Sequence, residues 1–299
     1  MNDYPLVSII TPTYNQAEYL PETIESVLLQ DYPNIEYIVI DDGSTDNTIS
    51  VLDKYKGKVR FISHENMGQA NTLNKGWSIA NGEYLAYLSS DDKLNKNAIS
   101  ELVAAAKEAG IISVVYPDFN LIDDKSNIIR ECKTENFDKE RMTVDLVCQP
   151  GPGALFSREL FYRLSGWNSE LRQTPDFDFW IRSVDLATFK RVPKNLAEYR
   201  IHESSASFSR MSIERADEII NVMSSYWSGE RNNISLSNAY LLSTRQHAQA
   251  GRYVLSFKRL VKAFELHPKN IFIFSNWKMI FSGSVRRYVY ILKSKIFKA

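Results

Sequence analysis

The chain has 299 residues, 44% of them hydrophobic and 24% charged, with 36 Lys+Arg balanced by 36 Asp+Glu. That length supports a large buried core, and the zero net charge argues against the global positive field of a nucleic-acid binder. Two widely spaced cysteines, Cys132 and Cys148, argue against a disulfide framework or a cysteine-ligated metal, and a reducing compartment is expected.

The opening Met1-Asn2-Asp3-Tyr4-Pro5 lacks the basic-then-apolar order of a secretory signal. No apolar run reaches the ~20 residues that span a bilayer. The expectation is a cytoplasmic protein, soluble or peripheral on the inner face of the membrane. Residues 6–10 read as a buried strand ending at Thr11-Pro12-Thr13-Tyr14-Asn15. Leu20, Ile24, Val27 and Leu28 then recur on one helical face, with Pro21 tolerated in the first turn. Residues 35–40 form a second strand, ending in Asp41-Asp42-Gly43-Ser44, and a short helix carries Ile49, Leu52 and Tyr55. A third strand at 59–62 leads through a glycine-containing loop to a helix with Leu73, Trp77 and Ala80 inward.

Residues 84–88 form the next strand, and it too ends in acid, at Ser89-Ser90-Asp91-Asp92. A helix through Ile99, Leu102, Val103 and Ala106 and a strand at 112–116 follow. This alternation with short connections predicts a mostly parallel sheet covered on both faces, with ligands at the carboxyl ends of its strands. Residues 119–122 and 127–130 then read as a hairpin around Asp123-Asp124-Lys125-Ser126. A Pro150-Gly151-Pro152-Gly153 loop precedes a helix through Leu160 and Leu164. Thr174-Pro175-Asp176 opens another helix, and a short strand at 197–201 runs into His202. From about residue 211 the pattern is all-helical. There Ala239, Ala248, Gly251, Phe257, Leu260, Ala263, Phe264 and Pro268 resemble a single tetratricopeptide-like helix pair. After Glu265 no acid remains, while Lys269, Lys278, Arg286, Arg287, Lys293, Lys295 and Lys298 are interleaved with aromatics. Residues 271–299 therefore read equally as an interfacial membrane helix or as a solvated basic face.

Two ionised carboxylates about 4 Å apart repel by about 4 kcal/mol at an effective dielectric near 20. A hard divalent cation turns that repulsion into a binding site. Read alone, Asp91-Asp92 is a turn slightly more readily than a site, and Asp42 is a helix cap. Neither a Walker loop nor a Gly-x-Gly-x-x-Gly follows the first strand, so a nucleotide would be held by carboxylates and loop amides.

The motifs in order settle on one family. Val7 to Asn15, Ile38 to Asp46, Gly68 to Gly76, Ala80 to Tyr84, Ser90-Asp91-Asp92, Tyr116-Pro117-Asp118, Gln149-Pro150-Gly151 and Asp176 to Arg182 resemble the family-2 inverting glycosyltransferases with the GT-A fold. The match runs over roughly residues 5–205 and leaves out the helical end. The resemblance implies a Rossmann-like α/β domain, residues 1–210, followed by a helical region, 211–299, for membrane association or oligomerisation. It implies Pro12, Tyr14 and Asp42 around the base, Gln69, Asn74 and Lys75 in the donor site, and Asp91 near the ribose. Asp92 would bind Mn²⁺ or Mg²⁺ at the donor diphosphate, with His202 in a secondary role touching the diphosphate or the metal. Asp176 would be the catalytic base. Its own residue chemistry also suits a helix first turn, and Asp178 is the nearest rival for the base. Trp180 either walls the site or lies in the core. Two departures from the family stand out: Ser89 opens the metal motif, and Pro175 replaces a glutamate.

The implied reaction is an inverting, metal-assisted hexosyl transfer in surface polysaccharide biosynthesis. The donor is a nucleotide sugar, UDP-linked, and the acceptor a saccharide or lipid-linked glycan. The alternatives are a non-catalytic sugar-nucleotide or glycan-binding module, kept open by Ser89 and Pro175, and a sugar nucleotidyltransferase. The last would carry a glycine-rich phosphate loop after the first strand, where this chain has Thr11-Pro12-Thr13-Tyr14-Asn15.

Overall fold

Every side chain of β1 (Val7–Thr13) is buried, as expected of a strand covered on both faces. With β2 (Ile35–Asp41), β3 (Arg60–Ser63) and β4 (Tyr84–Tyr87) it makes an all-parallel half-sheet in the order β3-β2-β1-β4. Between these strands lie α1 (Leu20–Leu28), α2 (Thr48–Asp53) and α3 (Gln69–Ser78). α1 buries Leu20, Thr23, Ile24 and Val27, one stripe at helical spacing. α3 packs so closely that a Cβ at Gly76 would lie 2.5 Å from a methyl of Ile10, which fixes glycine there. The computed structural model describes residues 4–202, 211–226 and 230–272. From residue 273 on, the basic aromatic tail, read equally as an interfacial membrane helix or a solvated basic face, lies outside the described residues. No described helix is long and apolar enough to cross one.

The second half of the sheet is mixed. After β5 (Lys93–Leu94) and α4 (Ala98–Ala109) come β6 (Ser113–Ile122), β7 (Ile128–Cys132), α5 (Lys139–Thr143), β8 (Leu155–Ser157), α6 (Arg158–Leu164), α7 (Pro175–Ser183) and β9 (Thr188–Arg200). β8 joins the halves by pairing antiparallel with both β4 and β6, and β9 runs parallel to β6 and antiparallel to β5. The hairpin at 123–126 forms as expected between β6 and β7. Two expected boundaries differ. The strands at 112–116 and 119–122 are one strand, β6, and the short strand before His202 is the end of the 13-residue β9. The reason is a bulge: Pro117 pairs with Val192 and Asp118 with Asn195, so Pro193 and Lys194 are skipped. A proline is tolerated where the ladder is interrupted in this way.

The chain separates into two compact units, Met1–Lys139 with Cys148–Phe208 and Glu140–Val147 with Ser209–Ala299. In the second unit α8 (Ile213–Tyr226), α9 (Glu230–Gln249) and α10 (Tyr253–Leu266) precede a short 3₁₀ turn, Pro268–Phe272. α9 and α10 turn at Gly251 (φ +77°) and bury Leu241 and Ala263, with Leu260 and Phe264 against them. Phe257, expected inside that pair, is 66% exposed instead. Asp217 on α8 organises the unit's polar interior, accepting from Ser243, His247 and Arg259.

Candidate active site

The strand end that carries Asp91 and Asp92 is a tight turn. Leu88 N–H still donates to Ile10 of β1, and Asp92 N–H donates back to the Ser89 carbonyl at 3.0 Å. That turn drives Asp92 inward, where it is 4% exposed. Its Oδ1 accepts the Arg200 backbone N–H at 2.9 Å, and its Oδ2 takes no hydrogen bond among the described residues. Burial first, and the neighbouring Asp91 carboxylate second, hold the Asp92 carboxyl well above the usual range. Asp91 is more open. Its Oδ2 accepts from His202 Nε2 at 3.0 Å, which places His202, expected at the diphosphate or metal, against Asp91.

These donors fit a divalent cation of the Mg²⁺ or Mn²⁺ kind. Among the described residues there is no cluster of three or more His, Cys, Asp or Glu side chains able to hold a metal by themselves. A buried carboxylate with an uncommitted oxygen beside a second carboxylate matches a cation that takes one or two protein oxygens and completes its shell with water and substrate phosphates.

The other acid pair has a different geometry. Asp41 accepts from Ser44 N–H and, at 2.7 Å, from Ser63 Oγ, so it locks β2 to β3. Asp42 accepts the Met67 and Gly68 amides at 2.8 and 3.0 Å, with His64 Nδ1 at 3.5 Å. It thereby fixes the loop that enters α3. Pro12 is buried in β1, and Tyr14 is 47% exposed just beyond it. Between them and α2, Asn15 (φ +52°) accepts the Thr45 and Asp46 amides and ties the two strand-end loops together. Gln69 is exposed at the start of α3, and Lys75 is half-buried farther along it. Asn74 has a scaffolding position: its amide donates to the Trp167 carbonyl and accepts the Trp167 N–H, holding the loop after α6.

Pro175 occupies the first turn of α7, where a missing N–H costs nothing and the fixed φ suits the helix. It brings Asp176 into that first turn, with Oδ1 accepting the Phe177 N–H at 2.8 Å. Asp176 lines one pocket of about 120 Å³ with Asp92, Ser89, Tyr87, Tyr199 and the Gly151-Pro152-Gly153 loop. Burial, followed by the Asp176 charge, raises the Tyr87 phenol far above its usual range. The rival Asp178 is committed elsewhere, paired at 2.8 Å with Arg182, which also donates to the Leu164 and Gly166 carbonyls. Trp180 is 2% exposed and packs edge-on to Phe156 and Phe179, so it belongs to the core.

Of the strand at 197–201 and the histidine after it, only His202 carries an expected role, and Arg200 carries none. Arg200, Tyr19, Glu22 and Ser126 all meet around the acid turn. The signal that could have found Arg200 is an arginine in the middle of a strand-end motif, where a charged side chain has to be paired to be buried.

A parallel βα half with acids at its strand ends, joined by β8 to a mixed half that completes a pocket over a buried aspartate, is the layout of the GT-A fold. The chain belongs to glycosyl transferase family 2, whose sequence profile matches residues 8–165, just over half its length. Among relatives, a glycosyltransferase of Rickettsia typhi is 29% identical over 271 residues, 88% of this chain and 83% of that protein. The hyaluronan synthase of Pasteurella multocida is 28% identical over 224 residues, 74% of this chain but only 23% of the synthase. Two solved structures share the fold. S. aureus TarS residues 1–349 in complex with UDP-GlcNAc aligns with a TM-score of 0.64 at 16% identity, covering 97% of this chain and 92% of that one. The mannosyltransferase PcManGT of Pyrobaculum calidifontis, in complex with GDP-Man and Mn²⁺, aligns at 0.57 and 18%, covering 98% and 89%.

Proposed function

We propose that this glycosyltransferase moves a sugar from a UDP-linked donor to a saccharide or lipid-linked acceptor, with inversion and with help from a divalent cation. The observation that carries the reading is the shared pocket: Asp92, a buried carboxylate beside a second one, and Asp176, at the start of a helix, line the same cavity. Inversion is a single displacement at the anomeric carbon and needs two things from the protein. Asp176 accepts the proton of the attacking acceptor hydroxyl, a contribution of about 10²–10⁴ in rate. Asp92, with Asp91 alongside, would hold Mn²⁺ or Mg²⁺ at the donor diphosphate. The bound cation supplies charge neutralisation of the leaving group. Pro12, Tyr14 and the loop pinned by Asp42 receive the nucleotide, and Tyr87 and Tyr199 line the pocket beside Asp92 and Asp176.

Residues 1–210 form the catalytic domain in this reading. Residues 211–299 are the helical element, with the basic sequence after Glu265 resting on the anionic inner face of the cell membrane. The synthase relative and the UDP-GlcNAc-bound neighbour support a role in surface polysaccharide biosynthesis and a UDP donor.

The test starts with a panel of nucleotide sugars and Mn²⁺, scored by thermal stabilisation, since a ligand of the native state raises apparent stability. With the donor found, Asp176→Asn keeps donor binding and loses transfer; near wild-type transfer would remove Asp176 from the role of base. Slow hydrolysis of the donor in the presence of Mn²⁺ distinguishes an enzyme from a binding module. Co-sedimentation with anionic vesicles at low salt tests the membrane contact, and no binding there ends it.

A further inference from the structure

Three separate segments around the acid turn are strung on one side chain. Arg200 ends β9 with its guanidinium fully buried. Its Nε donates to the Asp91 carbonyl at 2.7 Å. Nη1 donates to the Asp123 carbonyl at 3.1 Å and to Ser126 Oγ at 3.0 Å, both in the β6–β7 hairpin. Nη2 donates to Glu22 Oε2 on α1 at 3.1 Å, and Glu22 in turn accepts from Ser126. The same residue's backbone N–H is the donor to Asp92 Oδ1. The guanidinium carbon stands 4.8 Å from the centre of the Tyr19 ring, whose centroid is 4.6 Å from that of His202.

The pattern of these bonds matters more than their number. A buried arginine that served stability alone would be expected to neutralise the carboxylates nearest to it. The Arg200 guanidinium instead grips the main chain of Asp91 and forms its ion pair with Glu22, so it fixes the direction of the turn through the backbone and leaves both aspartate side chains outside its hydrogen bonds. We propose that Arg200 is the positioning residue of the Asp91-Asp92 turn, holding both carboxylates toward the cation and donor diphosphate while anchoring the 123–126 hairpin and α1 to the same point. It touches neither ligand and acts through Asp91 and Asp92. This rests on the reading of those two residues as the cation–diphosphate site. Its energetic basis is that groups which orient a metal ligand typically set affinity by about 10–100-fold.

The experiment measures binding of Mn²⁺–UDP to the full chain by calorimetry, with Mn²⁺ binding followed independently by electron paramagnetic resonance. Arg200→Lys keeps the charge but loses the planar fork. It should weaken Mn²⁺–UDP binding at least ten-fold, beyond what any loss of folded fraction explains. Glu22→Gln keeps the shape and removes the partly exposed ion pairs of Glu22 with Arg200 and Lys93. It should leave the thermal midpoint near that of wild type and weaken binding about two- to five-fold. Where Arg200→Lys does not fold, Glu22→Gln decides. Wild-type affinity in a folded Arg200→Lys protein, or in Glu22→Gln, makes Arg200 an ordinary core arginine and overturns the proposal. Absence of Mn²⁺–UDP binding by the wild-type protein overturns the functional reading and takes this proposal with it.

Discussion

Asp92 and Asp118 lie in the same sheet unit and are each only 4% exposed, yet Asp92 lies deeper among protein atoms and their carboxyls are displaced in opposite directions. Asp118 also feels burial as an upward push, but Arg191 grips both its oxygens at 3.0 and 2.7 Å and Thr134 adds its hydroxyl and its amide. The net effect holds the Asp118 carboxyl below its usual range. Asp92 has one backbone amide and a like-charged neighbour, and is held far above. Equal exposure to solvent therefore does not mean equal purpose. A carboxylate the fold has compensated is part of the scaffold, and one the fold has left short of positive charge is where a cation would complete the structure.

The sharpest way to break this contrast is to neutralise each acid in turn. Asp92→Asn should cost transfer on the order of 10³-fold, the equivalent of several kcal/mol of charge stabilisation. Its thermal midpoint without metal should be unchanged or higher, because the amide carries no charge to be buried beside Asp91. A cation-independent, active Asp92→Asn protein would dissolve the distinction. Asp118→Asn should do the reverse and destabilise the fold by about 3 kcal/mol, the scale for leaving a buried charge unpaired, with little change in KM of the folded fraction. Denaturant titration and steady-state kinetics on one preparation read both.

The pH dependence follows from the same shift. Asp118 has a lowered carboxyl, so its stabilisation is fully present above the unfolded value of about 3.9 and is lost as pH falls through the folded value. Wild type should lose this contribution only in acid, and Asp118→Asn should show a shallower acid limb in its stability curve. An identical limb would mean that Arg191 does not hold the charge. The smallest effect is expected where solvent screens both partners. Glu159 and Arg163 pair at 2.8 Å across one turn of α6 with both side chains about half exposed. Glu159→Gln should change stability by less than about 0.5 kcal/mol. A larger loss would show that exposure is a poor guide to these pairs.

Much of the parallel half-sheet was legible because its signals are local. The apolar blocks of β1, β2 and β4 end in turn-forming acids, and Pro175 ahead of Asp176 marks a helix start at the residue where α7 begins. β9 was harder to read. Its exposed lysines and Pro193 hide a strand whose continuity depends on a bulge opposite Pro117. Asn74 was expected to face the donor because of the motif around it, but its amide is taken by a loop 93 residues away. Phe257 sits at a position that suits a helix pair and is nonetheless exposed, since the pattern states which face is apolar and not whether a partner covers it.

The sequence by itself determined the family, the alternation of strand and helix, and the placing of two acid pairs at strand ends, because periodicity and turn chemistry act over a few residues. Only the tertiary structure decided which acids are compensated. Asp118 meets Arg191 from 73 positions away, and Asp92 meets the Arg200 amide from 108. A carboxyl's charge depends on what surrounds it in space, and those neighbours come together only when the chain has folded.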